Sequence, residues 1–394
     1  MTTISPLSKS ELERRWTAAR AVMAAHGIDA LVMQAREDWM GGYVRWFTDI
    51  PALNGYPRTV IFYADAPMTM VEMGAFGTMR DLGGADADLR GVGTVLGTPS
   101  FVSIEQTLTY DADLVVQDLA RHGAKSIGTL CPGALPSALM TALSQQFPGG
   151  RCVNVTDAMD HVKAIKSAEE ITLIRQTAAL QDQVFAEVCD FIRPGRTDRD
   201  VMAHAEAAGR RLGSDQGIYL GCSAPLGTPA RFMGRHFQSR TLARGDHLSI
   251  LIEINGPGGI YLEIARTMVL GAADEPLLQA FEQVRAAQDH SLSLMKPGAA
   301  PAEICAAHNT WMAAHGLPEE TRLYAHGQGC EMVERPLIRH DETMPLAEGM
   351  LLAVHPGFDD GRVFAVICDN YMVEADGVSG CLHQTDKRIF ELEG

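Results

Sequence analysis

At 394 residues, 46% of them hydrophobic and 21% charged, the chain has apolar material for two or three packed domains and does not read as disordered. A formal charge of −16 argues against a nucleic-acid or anionic-membrane partner, because those surfaces demand clustered basic residues. Eight cysteines occur without a CxxC pair, which leaves neither a zinc ribbon nor a redox pair signalled.

The opening "MTTISPLSKSELERRW" carries no apolar stretch of the signal-peptide kind, so the thiols are expected to be reduced and the protein cytoplasmic. "ELERRWTAARAVMAAHG" has helical apolar spacing and stops at Gly27, and "IDALVMQ" then reads as a buried strand. "DWMGGYVRWFTDI" reads as a loop whose aromatic residues either anchor an interface or a substrate or belong to ordinary packing of the first domain. "TVIFYAD" and "MTMVEM" form an expected strand pair, "VVQDLARHG" a helix and "SIGTL" a strand. Around residue 163 a second domain begins. Ser167 and Glu170 make a capping box ahead of the apolar-periodic run of "AEEITLIRQTAAL".

The second part contains a repeat. "IRPGRTDRDVMAHAEAAGRRLG" from Ile192 matches "MKPGAAPAEICAAHNTWMAAHG" from Met295, with Pro194-Gly195 103 positions before Pro297-Gly298. Leu242 and Gly245 of "LARGDHLSI" likewise precede Leu346 and Gly349 of "LAEGMLLAV" by 104. Each half reads helix, turn, helix, strand pair. One half alone cannot bury both faces of its sheet, so the two are expected to pair about a pseudo-twofold axis with a pocket where they meet.

Five polar residues sit inside apolar strand patterns: Glu253 in "ILIEING", Glu263 in "GIYLEIARTMVLG", His326 in "LYAHGQG", His355 in "LLAVHPG" and Cys368 in "FAVICDNYMV". Burying such groups costs several kcal/mol unless they are paired or ligating, which points to a shared site. For Glu263 the plainer reading is a salt bridge to Arg266, and for Cys368 a small core residue. "NGPGGIY" between the glutamates is a Gly-rich turn, read as a hairpin loop or as backbone that approaches a ligand.

With "LARGD", "EIARTMVLG", "HGQG", "LAEGMLLAVHPG" and "CDNYMVEADG" in this order, the chain resembles the pita-bread family of creatinase, prolidase, aminopeptidase P and methionine aminopeptidase. The resemblance implies an α/β fold: a small creatinase-like N-terminal α/β domain over residues 1–163, then a duplicated pita-bread catalytic domain over 164–394. It also implies a homodimer acting on a small molecule. The family's peptidases hold two divalent ions with Asp, Asp, His, Glu and Glu. At those places stand Glu253 (displaced by a short local insertion), Glu263, His326, His355 and Cys368. Two bridging carboxylates are thus replaced by an imidazole and a thiol, which argues against a two-metal peptidase.

Two readings follow from the resemblance. In the first, no metal is held, as in creatinase-like members, and the protein hydrolyses a C–N bond of an amide or amidine. His236, Glu263, His326 and His355 are then the acid–base set, and Glu253, Glu334 and Cys368 contact substrate. His236 of "MGRHFQSRTLARGD" resembles the creatinase base but lies two residues closer to the "GD" turn. Glu334 of "VERP" keeps a family glutamate, whereas Val333 stands where the peptidases carry a histidine. In the second, one zinc or iron ion sits on Glu263, His326, His355 and Cys368, a chemically acceptable set, in a peptidase-like hydrolase or a lyase. A non-catalytic binding module is the further alternative.

Overall fold

A computed structural model of the chain describes residues 7–37, 40, 42–52 and 55–393. The chain divides into two compact units, one ending at Lys163 and one beginning at Ala164.

The first unit is a seven-stranded sheet flanked by helices. In chain order its elements are α1 (Lys9–His26), β1 (Ala30–Ala35), α2 (Tyr43–Thr48), β2 (Arg58–Tyr63), β3 (Met68–Met73), β4 (Thr78–Asp81), β5 (Val92–Thr98), α3 (Tyr110–Arg121), β6 (Ile127–Thr129), α4 (Ser137–Gln146), β7 (Cys152–Asn154) and α5 (Thr156–Ala164). The strands lie in the order β4-β5-β3-β2-β1-β6-β7. The α1 helix ends as its sequence dictates, on Gly27 in the left-handed conformation (φ 63°). The aromatic stretch is a short helix rather than the expected loop, and of its two readings the packing one holds. Tyr43 and Trp46 lie in α2 and are buried, and Arg15 stacks on Trp46, so these rings pack the unit's interior. Trp39 of the same stretch falls outside the described residues.

The second unit opens with α6 (Ala168–Phe191), α7 (Asp198–Leu212), β8 (Gly217–Pro225), β9 (Asp246–Asn255) and β10 (Tyr261–Leu270). Its second half is α8 (Glu275–Leu294), α9 (Pro301–Ala314), β11 (Ala325–Gly327), β12 (Glu334–Leu337), β13 (Leu351–Val354), β14 (Gly357–Asp359), β15 (Phe364–Val366), β16 (Asp369–Glu374), β17 (Gly377–Val378) and β18 (Phe390–Leu392). The repeat is structural: α6 and α8 end 103 residues apart, at Phe191 and Leu294, and α7 and α9 begin 103 apart, at Asp198 and Pro301. One sheet is ordered β18-β10-β9-β8 and the other β12-β11-β13-β16-β17. An antiparallel bridge between Ala265 and Cys368 joins them. The Gly-rich turn is the connection of the β9–β10 hairpin.

The Ser167 side chain accepts from the Glu170 N–H while Glu170 returns the bond to the Ser167 N–H, completing the capping box of α6. Replacing Ser167 with Ala should cost about 1 kcal/mol in a denaturant titration, the usual worth of such a cap. An unchanged midpoint would mean that the helix end is held by other contacts.

Alternation along the strands decides what faces what. Ile250, Ile252, Ile254, Ile264 and Met268 pack with Leu180, Val184, Val188 and Val201 of the helices above them. Leu352, Val354, Tyr371 and Val373 do the same with Met295 and Ile304 in the other half. The residues between them, Glu253, Glu263, Ala353 and Asn370, therefore take the face away from the helices.

Candidate functional site

Strand parity delivers the polar set. Glu253 and Glu263 stand directly opposite each other on β9 and β10. His326 is the central residue of β11, one past Ala325, which packs toward the helices, so the imidazole takes the other face. His355 follows the last residue of β13, and its N–H donates to the Tyr324 carbonyl at 2.6 Å. The strand ends there because Pro356 has no N–H to continue the ladder.

Three of the candidate residues converge. Glu263, His326 and His355 each offer one polar atom within 4.8 Å of the others. The Glu263 Oε2 lies 3.9 Å from His326 Nε2 and 4.0 Å from His355 Nε2, too far for direct hydrogen bonds. His326 Nδ1 is 2.8 Å from the Gly327 carbonyl, so Nδ1 carries the proton and Nε2 presents a lone pair to the shared gap. His355 Nε2 is buried and has no hydrogen-bond partner among the described residues. Burial drives His326 down to about 4. It drives His355 down as well, helped by His326 and by the Arg322 charge. Both imidazoles are thus neutral bases. Burial pushes Glu263 up, against the Cys368 thiol and the Arg322 charge, and pushes Glu253 up further because Glu263 stands across from it.

Glu253 does not join the three at the gap. The Gln328 amide donates to its Oε1 at 2.8 Å. Asn370 donates to Gln328 Oε1 at 2.7 Å and accepts from the Glu263 N–H at 2.8 Å, which closes a buried relay between the two glutamates. Gln328 and Asn370 escaped the sequence reading, although both share its signal of polar residues in apolar runs. Cys368 is fully buried, and its thiol donates to the Glu263 carbonyl at 3.5 Å. Burial and the surrounding carboxyls hold it protonated. Glu334 is committed to Lys166 at 2.8 Å in a buried pair. A Cβ on Gly329 would lie 2.4 Å from its carboxylate, so the second glycine of "HGQG" is what admits Glu334. His236 stands on an exposed 3-10 turn against Phe237, outside the converging group.

Arg266 is not the partner of Glu263. The two are three residues apart on one strand and so point to opposite faces. Arg266 binds Asp369 at 2.6 Å instead. Asp369 also meets Cys381 and His383 in a second group of possible metal donors. Arg266 and Lys387 already balance that carboxylate, which makes the group part of an ion network.

A repeated helix–helix–strand unit with a carboxylate–imidazole cluster on the face away from its helices defines a pita-bread protein. Residues 172–375 match the model of metallopeptidase family M24, and the chain belongs to that family. It is similar to the probable dipeptidase PepE of Mycobacterium tuberculosis (26% identity, spanning 94% of this chain and 95% of that protein). The Xaa-Pro dipeptidase of Pyrococcus horikoshii is 25% identical over 68% of this chain and 76% of its own. The fold is that of the X-Pro aminopeptidase from Thermotoga maritima, with a TM-score of 0.77 at 18% identity over 96% and 99% of the two chains.

The donor set does not fit the family's two-ion centre. One carboxylate, two imidazoles, a thiol turned to the Glu263 carbonyl and a glutamate engaged by Gln328 supply no pair of bridging carboxylates. The converging three residues fit one ion.

Proposed function

We propose that this protein is a hydrolase that cleaves a C–N bond, amide or amidine, in a small polar substrate by acid–base chemistry at Glu263, His326 and His355. The observation that supports the reading is the donor set: one carboxylate and two imidazoles converge on a shared gap, and His326 Nδ1 is spent on the Gly327 carbonyl so that Nε2 faces that gap as a base. The 3.9 and 4.0 Å separations from Glu263 leave room for a water between the groups.

The lone pair on His326 Nε2, or that on His355 Nε2, takes a proton from this water as its oxygen attacks the carbonyl or amidine carbon. Glu263, whose hold on its proton is strengthened by burial, gives that proton to the departing nitrogen. The imidazolium then returns its proton to Glu263 across the shared gap, which restores both groups, and the sum is one water added across one C–N bond. Glu253, tied through Gln328 and Asn370 to the Glu263 backbone, fixes the acid in place. His236 on its exposed turn and Glu334 behind the "HGQG" loop are assigned supporting roles: His236 in substrate entry, Glu334 in loop geometry.

The second reading places a single zinc or iron ion on Glu263, His326 and His355, where it would polarise the carbonyl and activate water. Elemental analysis and chelation decide between the two. Under the acid–base reading, dialysis against EDTA leaves turnover within about twofold, and Cys368→Ser changes it by less than about threefold. A stoichiometric ion whose removal ends activity would replace the first reading with the second. The assembly we propose is a homodimer, and a monomer mass in sedimentation at micromolar concentration would remove that part.

A further inference from the structure

The converging groups are closed in. Glu263 and His326 are each 3% exposed and the His355 Nε2 atom is buried, so no substrate reaches the gap between them in the arrangement the structure shows. Something on that face has to move. Leu251 and Ala265, two residues before Glu253 and two past Glu263, share their face of the sheet. Phe232 lies on both and on the fully buried Cys368.

Phe232 belongs to residues 226–239, the connection between β8 and β9, whose two ends meet at one residue. Pro225 at the end of β8 pairs with Asp246, and Arg240 Nη2 donates to the Asp246 carboxylate at 2.7 Å. The Arg240 carbonyl also accepts from the Asp198 N–H at 3.0 Å. Between these posts the chain bonds to itself: the Thr228 N–H to the Pro225 carbonyl, the Phe237 N–H to the Gly234 carbonyl, and the Gln238 amide to the Met233 carbonyl. Among the described residues, the backbone from 229 to 236 makes no hydrogen bond outside the loop. Gly227, in the left-handed region at φ 79°, supplies a swivel just past the first post.

The fastenings to the facing wall are slight. Phe232 meets Phe364 of β15 edge-to-face at 5.2 Å, and Ala230 buries only a methyl group. Arg231 donates from Nε and Nη2 to the Asp359 carboxylate of β14. These two side chains are 54% and 30% exposed, and so open an ion pair is weak and screened by salt.

We propose that residues 226–239 form a lid over the catalytic gap, latched by Arg231 on Asp359 and stoppered by Phe232, and that substrate enters when the latch releases. His236 rides on the same loop, which gives its part in substrate entry a physical basis. The lid rests on the hydrolase reading for its purpose, but its opening needs no turnover.

Cys368 reports the opening, because its thiol lies beneath Phe232 and meets a neutral alkylating reagent when the lid is up. The labelling rate then scales with the open population. Iodoacetamide labelling of the full chain is followed peptide by peptide in a mass spectrometer, which separates Cys368 from the other cysteines. In the wild-type protein, raising NaCl from about 0.05 to about 0.5 M should speed Cys368 labelling about threefold, the size a surface ion pair supports. Arg231→Gln should label about threefold faster at low salt and lose the salt response, and Asp359→Asn should match it. Melting temperatures should stay level, since both residues are at the surface. Equal rates in the three proteins, no labelling of Cys368 in any of them, a salt response that survives in Arg231→Gln, or a gain in rate that tracks a lowered melting temperature would each overturn the lid. Labelling that behaves as expected in a protein that releases no amine or ammonia from amides or amidines would leave the lid standing and defeat the hydrolase reading.

Discussion

Replacing His355 with Ala should reduce turnover by about 10²–10⁴-fold, the usual contribution of a positioned general base or acid, with little loss of stability. The fold is expected to survive because the buried His355 Nε2 makes no hydrogen bond among the described residues. The backbone bond from its N–H to Tyr324 does not depend on the ring. Its neighbours Pro356 and Gly357 set the turn whatever the side chain. Glu263→Gln is the companion variant: it preserves shape and removes only the transferable proton, so a similar drop in rate with an unchanged melting temperature locates the acid. If His355→Ala keeps more than about a tenth of the wild-type rate, His355 is not the base and His326 alone is left in that role.

The face on which each candidate lies was legible from parity alone. Glu253, Glu263 and His326 fall between apolar residues that pack under the helices, and strand alternation turns them to the other side. The 103-residue repeat was legible too, since Pro-Gly turns and apolar spacing recur wherever the same unit is built twice. Convergence was not legible. Which of five polar residues meet depends on how far each strand extends past its partner, and on loops whose course no local pattern reports. Cys368 shows the limit: it stands at a metal-ligand place by resemblance, yet its thiol turns to the Glu263 carbonyl. The short aromatic helix of the first unit was missed because "DWMGGYVRWFTDI" carries two glycines before a six-residue element, too short for a helical period to register.

The largest loss of stability is expected from Arg266→Ala. Arg266 and Asp369 are both fully buried, 2.6 Å apart, and they join β10 of the first half to β16 of the second. The guanidinium also donates to the carbonyls of Ala265, Cys368, Thr385 and Asp386, so it pins the C-terminal segment to the same point. Removing it leaves Asp369 charged and without its principal partner in the interior, which costs about 3–5 kcal/mol. Burial by itself would raise the Asp369 carboxyl, but Arg266 and His383 outweigh it and hold the group at about 2 against an ordinary 3.8. A carboxyl depressed in the folded state contributes stability that is fully present above its unfolded value and is lost as pH falls through the folded one. The wild-type protein should therefore lose this part of its stability between about pH 4 and pH 2. In Arg266→Ala that acid-dependent loss should vanish or reverse, because the unpaired carboxyl gains from protonation. Parallel acid titrations of the two proteins by circular dichroism would read this difference, and equal slopes would mean that the Arg266–Asp369 pair does not hold the two halves together.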